Sequence, residues 1–298
     1  MREANTLTYN LYRQKVHTQQ RCYLLITNRQ NDLMNTTALA ILSICAYLAS
    51  TLLIVRDTHQ NRRLRTPLYL AWTAVSAHIS YIAVAFQQNS SFNFSFISTA
   101  SLISVIVALL LLMATLNKPV EKLGLVIFPI AAIMLGLELN LPDKPHILHT
   151  HNWQMSAHIL TSIIAFSLLN IAALQAILLA IQDQQLKSHP PKRFIQSLPP
   201  LQTMETLLFQ MLGTGVFFLT ISLISGFIFI EDLFAQHLAH KTVLSITAWV
   251  IFSSLLIGRL RYGWRGKTAV RWTLTGFSLL LLAYFGSKLV LELILKKT

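Results

Sequence analysis

The stretch that decides the fold is Pro145–Gln182, PHILHTHNWQMSAHILTSIIAFSLLNIAALQAILLAIQ, which contains no Asp, Glu, Lys or Arg. A helix crossing the hydrocarbon core needs roughly 20 largely apolar residues, and this tract holds one such helix with room to spare. Working outward, similar gaps between charged residues recur along the whole chain. They run from Met34 to Val55, Pro67 to Phe86, Phe96 to Asn117, Leu123 to about Leu137, Thr206 to Ile230, Thr242 to Gly258, and Trp272 toward Leu295. With the tract itself, that predicts an all-α polytopic membrane bundle of about eight transmembrane helices. Composition agrees: 12% of residues are charged and 54% are apolar, whereas a soluble domain carries about 25% charged residues.

Basic residues in short loops stay on the cytoplasmic side, so their distribution sets the orientation. The odd-numbered loops hold fourteen, from Arg56 through Lys187 to Arg271, while the even loops and C-terminal tail hold Lys144, Lys241, Lys296 and Lys297. The odd loops are therefore expected inside, with both ends of the bundle outside. The net charge of +13 reflects this alternation. It forms no aromatic-interleaved stripe, and nucleic-acid binding is a poor reading.

Residues 1–33 carry five basic residues and no apolar stretch long enough for a signal peptide. They read as a disordered or mis-assigned leader, with the transmembrane domain spanning residues 34–298. Cys22 and Cys45 are the two cysteines, and no CxxC occurs, so a thiol relay and covalent haem attachment are both unsupported. Phosphate loops, nucleophile elbows and HExxH are absent, and an enzyme is not expected.

The charge count places His78, His158 and His240 within or at the mouth of spans near one membrane face, the outer one. Ionisable groups at such positions mark functional sites by default. His78 has Ala71, Ala74 and Ala77 around it, which permits close helix approach or a bound ring. His158 opens the fifth helix and His240 precedes the seventh. The bland reading of each is a histidine bonded across a helix interface or to a loop carbonyl. Neutral imidazoles inside walls of Leu, Ile and Phe suit a low-spin haem, whose two axial positions they can fill. A proton relay would want carboxylates, and none lies deep in a span from Met34 to Ile230. The outer loop also carries His146, His149 and His151, which could bind a transition ion but lack the register of a regular element. A metal-ion transporter or transport-regulating membrane partner using that loop, and a scaffold without cofactor whose histidines only pack helices, are the two rival functions.

Three stretches then carry a family resemblance: HKTVLSITAWVIFSSLLIGRLRYGWRGKTAVRWTLTGF (His240–Phe277), NKPVEKLGLVIFPIAAI (Asn117–Ile133) and HILTSIIAFSLL (His158–Leu169). The chain resembles the cytochrome c assembly family of membrane haem-handling proteins, the Ccs and Ccm types, and within it the shorter inner-membrane branch called YpjD-like. The resemblance implies a haem b held non-covalently, with His78 and His158 as the axial pair and His240 as an exchangeable or auxiliary ligand. It implies haem, membrane lipid and other cytochrome assembly proteins as partners. Charge and depth nominate Lys241 and Lys288 to pair with propionates. The family's tryptophan-rich outer segment is missing, since Trp72, Trp153, Trp249, Trp264 and Trp272 are scattered. Haem binding in cytochrome assembly is thus expected, without turnover as a cytochrome c synthetase.

Overall fold

A computed structural model describes residues 36–57, 65–89, 95–141, 153–187, 198–229 and 239–286. Among them all regular structure is helical: α1 (Thr36–Asp57), α2 (Thr66–Asn89), α3 (Phe96–Thr115), α4 (Gly124–Asn140) after a 3₁₀ turn, α5 (Trp153–Lys187), α6 (Leu201–Phe229), α7 (Ala239–Tyr262) and α8 (Lys267–Leu281). A π-helical turn, Leu282–Gly286, continues α8. All eight are long and apolar enough to cross a membrane. Residues 1–33, the histidine-rich 146–151 loop and Lys288 lie outside the described residues.

Several helices run past the charge gaps that predict them. Observed α6 begins at Leu201 and includes Glu205, α7 continues through Arg259 and Arg261, and α5 carries Asp183 and Lys187 in its last turns. Helical backbone costs nothing extra where it enters headgroup and water, so a charge gap measures the apolar length and not the helix.

In lipid, apolar side chains gain little by leaving hydrocarbon, so helices associate through close packing and interhelical hydrogen bonds. Leu52, Phe217 and Ile228 accordingly stand exposed on the bundle's outside. Inside, Ser43 donates to the Ala74 carbonyl at 2.8 Å and Ser50 to the Pro67 carbonyl at 2.7 Å, tying α1 to α2. Buried Ala71 and Ala74 keep that approach close.

Helix α5 is the most enclosed and packs against α3, α6 and α8. Its antiparallel seam with α6 is marked along its length by paired residues. His158 meets Ser225, Ser162 meets Ser222, and Gln175 donates to the Met204 carbonyl. At the far end Gln182 donates to the Pro199 carbonyl. Between them Leu169 lies against Gly215, where an added Cβ would come within 2.8 Å of its side chain. The starts of α3, α5 and α7 and the ends of α6 and α8 thereby share one end of the bundle, the histidine end. The opposite end carries the basic loops.

Candidate functional site

A cavity of about 290 Å³ opens at the histidine end between α3, α5, α6, α7 and α8. That is near the lower bound of the roughly 300–1,000 Å³ that small-molecule sites occupy. His158 and Ser162 contribute from α5, Ser222 and Gly226 from α6, and Lys241 from α7. Ala283, Tyr284 and Phe285 come from the π-helical turn. The wider turn lets three consecutive residues border one cavity, and such turns recur at functional sites. Behind them is an aromatic cluster: the Phe166 ring is centred 4.7 Å from Tyr284 and 5.8 Å from both Phe277 and Phe285.

The hydrogen bonds around His158 favour one tautomer. Ser225 donates its only hydroxyl proton to the Ser222 carbonyl at 2.9 Å. With that bond made, its oxygen accepts from His158 Nδ1, 3.0 Å away, and Nε2 is the unprotonated nitrogen. Ser162 donates to the His158 carbonyl at 2.7 Å and shares a 2.5 Å hydroxyl–hydroxyl contact with Ser222. Gly226 makes room for the ring, because a Cβ there would stand 3.1 Å from His158 Cε1.

His78 is placed differently. It is fully buried among α1, α2 and α3, shares a 3.1 Å hydrogen bond between Nε2 and Ser101 Oγ, and meets Tyr47 edge-on at 6.1 Å between ring centres. Among the described residues its Nδ1 has no partner, and neither does the Tyr47 hydroxyl. Ser101 follows Thr99 by two positions on α3, about 200° around the helix. Thr99 lines the cavity while Ser101 faces His78. Helix α3 thus stands between His78 and the cavity that holds His158. His240 opens α7 one residue before Lys241; its side chain lies outside the described residues.

The sequence reading brings His158 and Lys241 to one place and omits Ser222, Ser225, Tyr284 and Phe285. The pattern Ser222-x-x-Ser225 marks one helical face and was the available signal. Among the described residues no group of three or more His, Cys, Asp and Glu is gathered as for a metal ion.

The eight membrane-length helices and the histidine-bearing cavity define a polytopic helical membrane protein with a buried ligand-sized site. A family model described as cytochrome C assembly protein matches residues 64–295, and the chain belongs to that family. It is 33% identical to the inner membrane protein YpjD of Escherichia coli K12 over 264 residues, covering 86% of this chain and 98% of that protein. It is 29% identical to the cytochrome c biogenesis protein CcsA of Chlamydomonas reinhardtii over 145 residues, 47% of this chain and 39% of the relative. The CcsA of Gloeothece citriformis is 23% identical over 113 residues, 37% and 34% of the two chains. No solved structure matches it.

Proposed function

We propose that this chain is a haem-binding protein of cytochrome assembly, holding haem b non-covalently in the cavity at the histidine end. The observation that carries the reading is the placement of His158 on the cavity wall with its Nδ1 held 3.0 Å from Ser225 Oγ. Metal-ligating histidines characteristically have one ring nitrogen oriented by a hydrogen bond so that the other is free to bind, and Ser225 supplies that arrangement. Lys241 provides a cation for a propionate, and Tyr284 and Phe285 provide an aromatic face for the macrocycle. Haem, when bound, supplies redox-active iron with axial positions for imidazole. In this reading His240, one residue before cavity-lining Lys241, would be the second histidine to hold the group.

A second reading, with His78 opposite His158, is favoured by the orphaned Nδ1 of a fully buried ring, and it requires α3 to yield. The family and the names of the relatives support a role in cytochrome biogenesis, with haem and assembly proteins as partners. Basic loops at the opposite end support placement of the haem at the outer face of a bacterial inner membrane.

Absorption spectra of protein purified in mild detergent with haem supplied, oxidised and then reduced, test the proposal. A Soret band lost in His158→Ala and converted to a five-coordinate form in His240→Ala is expected. The five-coordinate form appearing instead in His78→Ala selects the second reading. No Soret band in the wild type, or one indifferent to His158, sinks both.

A further inference from the structure

At the basic end a second cavity, about 510 Å³, lies between α5, α6 and α8. Four cations line it, Lys187, Arg265, Lys267 and Arg271, together with two acids, Asp183 and Glu205. Both acids are already engaged. Asp183 pairs with Lys187 at 2.7 Å. Glu205 Oε1 accepts from Arg259 Nη1 at 3.2 Å and from the Gly266 amide at 3.2 Å. Arg265, Lys267 and Arg271 are left with no carboxylate partner among the described residues. The adjoining loop, 188–197, adds Lys192 and Arg193 to the sequence and no acid.

Membrane orientation alone asks for basic residues near this face. It does not ask that they converge on a concavity, nor that the concavity have an apolar wall. Here Leu179 and Ala180 of α5, Leu201 of α6 and Val270 of α8 form that wall beside the cationic rim. A rim of positive charge next to apolar surface matches the junction between a phosphate headgroup and its acyl chains. An inorganic ion would leave the apolar wall unused. A zwitterionic headgroup would bring a cation of its own against three uncompensated ones. Arginine contributes the planar, multi-donor geometry that phosphate oxygens accept.

We propose that this cavity binds the headgroup of an anionic glycerophospholipid from the leaflet at the basic end, clasping α8 against α5 and α6. Basic pockets between transmembrane helices on the cytoplasmic side recognise acidic lipid headgroups by this chemistry, and each cation near the surface contributes about 1 kcal/mol, close to a fivefold change.

The test is native mass spectrometry of the full chain released from mixed micelles of phosphatidylglycerol and phosphatidylcholine. Wild type is expected to retain phosphatidylglycerol preferentially. The Arg265→Gln/Lys267→Gln/Arg271→Gln variant is expected to lose that retention by at least about tenfold. The charge-conserving Arg265→Lys/Lys267→Arg/Arg271→Lys variant keeps most of it. Should the triple neutral variant fail to purify as a single species, the three single Gln variants carry the test, each with a graded loss. Equal retention of the two lipids, or retention unchanged in all the neutral variants, overturns the proposal. So does displacement of the lipid by millimolar inorganic phosphate, which would make the site one for a soluble anion.

Discussion

His158 Nδ1 stands 3.0 Å from Ser225 Oγ, whose own proton is committed to the Ser222 carbonyl. One serine on α6 therefore orients the ring of a histidine on α5 and, while bonded to that carbonyl, favours the proton on Nδ1. Ser225→Ala removes that orienting bond and allows the ring to rotate. Orienting partners of this kind are worth about 10–100-fold in metal affinity. Haem titration followed at the Soret band is expected to show a loss in that range for Ser225→Ala and a smaller one for Ser225→Thr, which keeps the hydroxyl. Equal affinities across all three proteins would count against the assigned tautomer.

Gly226 separates fold from site. Replacing a glycine inside a helix by alanine favours the helix by up to about 0.5–1 kcal/mol; Gly226 lies in the last turn of α6, and here the new Cβ meets His158 Cε1 at 3.1 Å. Gly226→Ala should keep or raise the melting temperature in detergent while weakening haem retention, and Gly226→Leu should abolish retention. A Gly226→Leu protein that binds haem as wild type would place the ligand elsewhere.

Lys241 borders the cavity at the start of α7. If it pairs with a propionate, Lys241→Gln weakens binding of haem but leaves binding of the haem dimethyl ester unchanged, because the ester carries no charge to pair. Parallel titrations with the two compounds check this. A matching loss for both would reduce Lys241 to a packing role.

The α5–α6 seam gives a stability prediction independent of any ligand. A methyl at position 215 would sit 2.8 Å from Leu169 Cγ and Cδ2, and overpacking of this sort costs typically 1–3 kcal/mol. Gly215→Ala should lower the melting temperature, and adding Leu169→Ala should recover part of the loss. Additive losses in the double variant would show that the two residues do not compete for the same space.

The spans were legible because hydrocarbon excludes charge, a rule each residue obeys separately. Even the short fourth gap, Leu123 to Leu137, became a helix of its own. What pairs across the bundle was not legible, because nothing in the neighbourhood of His158 names Ser225, which lies 67 residues away. The histidines at similar depth looked like one set for the same reason. Depth along a helix is written in the charge pattern, but rotation about the bundle is not, and rotation is what puts α3 between His78 and the cavity. The π-helical turn escaped as well. LAYFG at Leu282–Gly286 is as apolar as its surroundings, and nothing in its residue types announces a widened turn.

Helix α5 touches both cavities, His158 near its start and Leu179 to Lys187 at its end. Its 35 residues extend about 52 Å, well beyond the roughly 30 Å of hydrocarbon. Between the two sites Ala165, Phe166, Leu169, Ala172 and Ala176 are packed solid, with almost no exposed surface. The molecule is therefore built as two chambers set back to back on a common partition.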